Sequence, residues 1–201
     1  MLIALPRWDN PDAYYTQTNN VVETILKKTG ASFTLATCGP TAAVIILDAL
    51  GHDVLFKTPG GWEMQPEDAL AAWFNDPRNY AKMRLYRSDI DPAELMGNEV
   101  PQWYEPALGD VFGTKGRFYW GCTEQQIFQA LKNGRGVLAT LVKPGHYIAI
   151  VGYDTDTGAV IYHDPWPGNN WPERYKGQSG RARQLNRFEL SNLKPFRVEI
   201  G

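Results

Sequence analysis

The stretch Thr37-Cys38-Gly39-Pro40-Thr41-Ala42-Ala43-Val44-Ile45-Ile46-Leu47-Asp48-Ala49-Leu50-Gly51 decides how this chain is read. Pro40 suits a first helical turn, where its missing N–H would be unpaired in any case, and Gly51 suits a left-handed C-terminal cap. Thr37 is the candidate N-cap. Apolar residues run nearly all round the predicted helix, so it should be buried on most sides. Cys38 then stands at the positive end of a buried helix dipole, where a thiolate is favoured over a thiol. Gly39 is expected to let a substrate backbone come close. A cysteine alone at a helix start is usually structural; its company makes this one a nucleophile candidate.

That company lies downstream. Pro144-Gly145-His146-Tyr147-Ile148-Ala149-Ile150-Val151-Gly152-Tyr153 reads as a turn feeding a β-branched strand with His146 at its start. Asp154 to Gly158 is a turn cluster, and Ala159-Val160-Ile161-Tyr162-His163-Asp164 is the returning strand, closed by Pro165. If Tyr153 faces Ala159, Ile148 faces Asp164 and His146 is the diagonal neighbour of Asp164, about 7–8 Å away at Cα. A slip of one residue would put the two on opposite faces. Asp164 is therefore the expected carboxylate that orients His146, and His163 is expected to be structural. Cys38, His146 and Asp164 make a nucleophile, base and orienter for acyl transfer.

Upstream, Tyr14-Tyr15-Thr16-Gln17-Thr18-Asn19-Asn20 carries three side-chain amides ahead of a helix-like stretch from Val21 to Lys28. A side-chain amide N–H serves as an oxyanion donor. Gln17 is the candidate, with the backbone N–H of Cys38 as the second donor.

With these pieces in view the sequence resembles a papain-like cysteine peptidase, and is most similar to the bacteriocin-leader (double-glycine) peptidases and their stand-alone relatives. The resemblance rests on Tyr15-Thr16-Gln17, Cys38-Gly39-Pro40-Thr41 ending in Leu50-Gly51, and Lys132-Asn133-Gly134-Arg135-Gly136 before a strand. Gly145-His146-Tyr147 with Val151-Gly152-Tyr153-Asp154, and Asp164-Pro165-Trp166, complete it in family order. It implies an α+β papain-like fold, a helical lobe carrying the cysteine and an antiparallel sheet lobe carrying histidine and aspartate. It also implies a triad of Cys38, His146 and Asp164 assisted by Gln17. The departure is that about twenty residues separate Gln17 from Cys38, where the family usually has a few. Asn19 or Asn20 would serve equally as the donor.

The rest of the chain bounds the answer. Its 201 residues, 43% of them hydrophobic, suffice for one domain over 1–201. A net charge of −2 with no basic run offers no footprint for nucleic acid, and no apolar stretch approaches membrane-spanning length. The first six residues lack the pattern of a secretory signal, so synthesis is expected in the cytoplasm, with any role outside requiring another route of release. Cys38 and Cys122 are too few for a disulfide framework, and Cys122 is expected to be an inert neighbour before a helix. No cysteine and histidine cluster has zinc spacing, and the chemistry needs no metal or organic cofactor.

Coarser elements follow. Pro66 to Phe74 reads as a helix, Asp91-Pro92-Ala93-Glu94 as a capping box opening a short helix to Gly97, and Thr123-Glu124-Gln125-Gln126 as a second capping box. Gly136 to Val142 reads as a buried strand. Asn98 to Gly121, rich in Gly, Pro and aromatics, reads as a long loop, walling a substrate groove or packing onto the core. Trp166 to Trp171 is expected as an aromatic loop beside the site, and Arg174 to Arg187 as a solvated basic surface.

The functional expectation is a cysteine peptidase acting on peptide or isopeptide bonds through an acyl-thioester. Its substrate would be a bacterial cell-wall peptide or a protein such as a leader. The same triad would also serve an acyl transferase or deamidase of the transglutaminase type, and an inactive papain-fold binding module is the third class. Nothing in the residues sets an oligomeric state.

Overall fold

The computed structural model describes residues 1–10, 15–17, 24–26, 31–33, 37–57, 61, 63–94, 100–143, 145–166, 183–185 and 190–201. Eleven strands are found among them: β1 (Leu2–Ala4), β2 (Thr24–Leu26), β3 (Ala31–Phe33), β4 (Phe56–Lys57), β5 (Glu63–Met64), β6 (Gly116–Trp120), β7 (Gly136–Leu141), β8 (His146–Asp154), β9 (Ala159–His163), β10 (Arg183–Leu185) and β11 (Leu193–Ile200). The α-helices are α1 (Cys38–Leu50), α2 (Pro66–Asn75), α3 (Tyr80–Tyr86), α4 (Tyr104–Phe112) and α5 (Glu124–Lys132).

One sheet organises the molecule. Its order is β10-β9-β8-β7-β11-β6, every pairing antiparallel, with β1 added beside the far half of β8. The helix α1 packs on β8 and β7, with α2 against its side and α4 bridging α2 and β6. This is the α+β papain-like arrangement, helices carrying the cysteine and an antiparallel sheet carrying the histidine.

The helix α1 behaves as its composition dictates. Every residue from Gly39 to Ala49 is buried, and sequestering each of Val44, Ile45, Ile46 and Leu47, all fully enclosed, contributes on the order of 2 kcal/mol. Gly51 ends it in the left-handed region at φ 88°, its N–H returning to Asp48 and Leu47 carbonyls. Thr37 does occupy the N-cap position, but without a side-chain capping bond; its carbonyl instead takes the Thr41 N–H and hydroxyl. The helix α5 opens on the expected capping box, Thr123 Oγ1 accepting from Gln126 N–H and Gln126 Oε1 from Thr123 N–H.

Two expectations are corrected. The stretch read as helix-like from Val21 contains β2, paired with β3 in a hairpin; its Val, Thr and Ile residues carry the β-preference that won. The aromatic stretch read as a loop from Asn98 to Gly121 holds α4 and β6. There Trp103 and Tyr104 are fully buried, while Trp120 is 70% exposed. At the expected Asp91 capping box, Asp91 Oδ1 accepts from the Ala93 N–H; the helix expected from there to Gly97 runs into residues 95–99, which lie outside the described residues. The surface read over Arg174 to Arg187 includes β10, which pairs with β9. Among the described residues no helix is long and apolar enough to cross a membrane.

Candidate active site

The hairpin of β8 and β9 decides whether His146 and Asp164 can meet. Asp154 pairs with Ala159 and Tyr153 with Val160, so the loop is residues 155–158, one residue shorter than expected. Continued without change, that register would set Asp164 opposite Ala149 and leave it on the face away from His146. The ladder does not continue unchanged. It shifts between Ile150 and Gly152, after which Ile150 pairs with Tyr162 and Ala149 with His163. The next position along sets Ile148 beside Asp164, the alignment the sequence reading requires. A bulge at Val151 thus restores what the short turn removes.

The result is a direct bond. His146 Nε2 lies 2.5 Å from Asp164 Oδ1, with His146 8% exposed and Asp164 1%. Asp164 Oδ1 also accepts from the Trp166 N–H at 2.8 Å, which fixes the carboxylate. Cys38 is the first residue of α1 and half-buried, and it lies close enough to the His146 ring to act on its titration. With Nε2 taken by Asp164, Nδ1 is the nitrogen left for Cys38. Burial alone would push the imidazolium down, but the Asp164 hydrogen bond, then the hydrogen bond and charge of Cys38, hold His146 up at about 9. The raised value favours the imidazolium at neutral pH, with its Nε2 bonded to Asp164.

His163 is structural, as expected: its Nε2 meets the Trp8 carbonyl at 2.6 Å, and the side chain is 1% exposed. Cys122 is buried, and burial pushes its thiol up to about 12.

Gln17 is 4% exposed and is held against the same loop as the orienting carboxylate. Its N–H donates to the Pro165 carbonyl at 3.1 Å, and the Thr16 hydroxyl reaches that oxygen at 3.4 Å. Asn19 and Asn20 lie outside the described residues, as does the aromatic loop beyond Trp166.

A Cβ at Gly39 would lie 1.9 Å from the Tyr104 hydroxyl oxygen and 3.2 Å from the Tyr147 ring. The glycine makes room for an internal phenol. Tyr104 is fully enclosed; burial, then the charges of Tyr147 and Cys38, raise its phenol well above the ordinary range, so it stays a neutral hydroxyl behind the nucleophile. Sequence reasoning missed this residue. It also missed Asp48, a buried carboxylate in an otherwise apolar helix, whose oddity was the available signal. Among the described residues no group of His, Cys, Asp and Glu is arranged to hold a metal ion.

No curated protein matches the chain significantly. The Peptidase_C39 like family, in contrast, matches residues 13–189, which take in Gln17, Cys38, His146 and Asp164. With most of its length matched, the chain belongs to the Peptidase_C39 like family, the papain-like cysteine peptidase relatives of the C39 peptidases.

Proposed function

We propose that this chain hydrolyses peptide or isopeptide bonds with Cys38 as nucleophile, His146 as acid and base, and Asp164 as the residue that orients the imidazole. The observation carrying this reading is the buried His146 ring, bonded to Asp164 at 2.5 Å and raised to about 9 by that bond and by the neighbouring Cys38. The Cys38 sulfur adds to the carbonyl carbon, forming a C–S bond and an oxyanion held by the Cys38 N–H and the Gln17 amide. Collapse breaks the C–N bond, and His146 gives its proton to the leaving amine. Water, deprotonated by His146, then attacks the thioester and releases the acid and the thiolate.

Two substrate classes fit: stem peptides or cross-bridges of bacterial peptidoglycan, and proteins processed at a leader or internal site. Digestion of purified peptidoglycan by wild type and Cys38→Ala, read by mass spectrometry, separates them. New amino termini from wild type alone assign a cell-wall endopeptidase. No release, with Cys38 still alkylated faster than Cys122 at mildly acidic pH, moves the substrate to proteins. Ammonia without chain cleavage reassigns the triad to deamidation. Turnover that survives in Cys38→Ala or His146→Ala overturns the scheme.

A further inference from the structure

Asp48 sits in α1, which is enclosed almost all round, and it is 5% exposed. An acidic side chain there is costly unless paired, and two N-terminal residues pair with it. The Tyr15 hydroxyl donates to Asp48 Oδ2 at 2.9 Å, and Arg7 Nη1 meets Asp48 Oδ1 at 2.6 Å. The Arg7 N–H also donates to the neighbouring Ala49 carbonyl at 2.8 Å. Burial, then the charge and hydrogen bond of Asp48 and the charge of Glu67, raise the Tyr15 phenol above its ordinary range despite Arg7, so it stays a donor.

Tyr15 is two residues from Gln17, a reach of at most about 7 Å of chain. The segment 15–17 is thus fastened at both ends: to α1 through Tyr15, and to the loop after Asp164 through the Gln17 N–H and Thr16 hydroxyl on Pro165. Cys38 and Asp48 belong to the same rigid helix, ten residues and about 15 Å apart. A strap tied to Asp48 is therefore referenced to the frame that carries the nucleophile.

We propose that Tyr15 and Asp48 are positioning residues that hold the Gln17 amide in register with Cys38. The inference rests on Gln17 being the oxyanion donor, and its test separates failure of that premise from failure of the pair.

The probe is 4-nitrophenyl acetate, which needs no knowledge of the natural substrate. The Cys38 sulfur adds to the ester carbonyl, the C–S bond forms through an oxyanion, and the C–O bond breaks to release 4-nitrophenolate. Iodoacetamide alkylates the same sulfur by direct displacement, with no oxyanion. The ratio of burst acylation to alkylation therefore isolates the oxyanion site. Gln17→Ala should lower this ratio about 100-fold, the scale for one lost donor. Tyr15→Phe, which removes only the hydroxyl, should lower it about 10-fold, and Asp48→Asn, which keeps an acceptor, should restore most of the deficit seen in Asp48→Ala. In the Gln17→Ala background Tyr15→Phe should have no further effect. An unchanged ratio in Gln17→Ala refutes the premise. A full effect in Gln17→Ala with no effect, or a multiplicative effect, of Tyr15→Phe refutes the positioning pair alone.

Discussion

His146 carries the charge on which the site turns, and its surroundings set when that charge is lost. Its native value near 9 stands above the ordinary imidazole value of 6.5, so protonation is tied to the folded state. The stability this contributes is fully present below about pH 6.5 and is lost as pH rises through about 9. In the proposed mechanism turnover needs the imidazolium as acid, so hydrolysis should fall on the alkaline side with a midpoint near 9. Asp164→Asn should move that midpoint toward 6.5 and lower kcat by about 100-fold, the lower end of what a well-placed acid–base group contributes, with KM little changed; a pH–rate profile of both proteins checks it. Gly39 makes the second argument at this scale. Gly39→Ala drives a methyl into the Tyr104 hydroxyl and should destabilise the protein by about 2 kcal/mol. Tyr104→Phe in the same chain should recover much of that loss in a denaturant titration. Cys38, His146 and Asp164 were legible as candidates because each begins or ends a recognisable element. The partner of Gly39 was not, because it comes from a helix 65 residues further along the chain.

The element on which the site depends most is the hairpin of β8 and β9. A short turn and a bulge at Val151 are two opposite one-residue errors, and together they place Asp164 for His146. Deleting Val151 should abolish Cys38-dependent turnover, whereas one glycine added between Asp156 and Thr157 enters an exposed turn and should leave it within about threefold. Peptidase assays on the two variants check the contrast. The helix α5 offers a control. Thr123→Ala removes half of its capping box and should lower stability by about 1 kcal/mol without altering turnover. Alternation in sequence gave the two strands but not the bulge, since period-two patterning is blind to one extra residue. The helix α4 was hidden for a different reason. Pro106 and Gly109 read as breakers, yet Pro106 lies in the first turn, where a missing N–H costs nothing.

Across the whole molecule, burying the helices against one another leaves one acid stranded. Glu67, in the first turn of α2, is 1% exposed, and its Oε2 finds no hydrogen-bond partner among the described residues. Desolvation pushes its carboxyl up to about 7, with the charge of Asp68 adding to the rise and a backbone hydrogen bond opposing it. The folded state therefore binds a proton that the unfolded chain gives up above about 4.5. This contribution to stability is complete below about pH 4.5 and lost as pH rises through about 7, amounting to about 3 kcal/mol. Glu67→Gln should raise the Tm at pH 8 and leave it nearly unchanged at pH 4. By itself the sequence determined the buried helix that begins at Cys38 and the strands that carry His146 and lead to Asp164. These follow from local periodicity, caps and residue type. Only the tertiary structure decided the bulge that brings His146 to Asp164, the phenol that fills the space beside Gly39, and the tie from Tyr15 to Asp48. Each is a meeting of residues far apart along the chain, and no local pattern records which distant side chain will fill a given space.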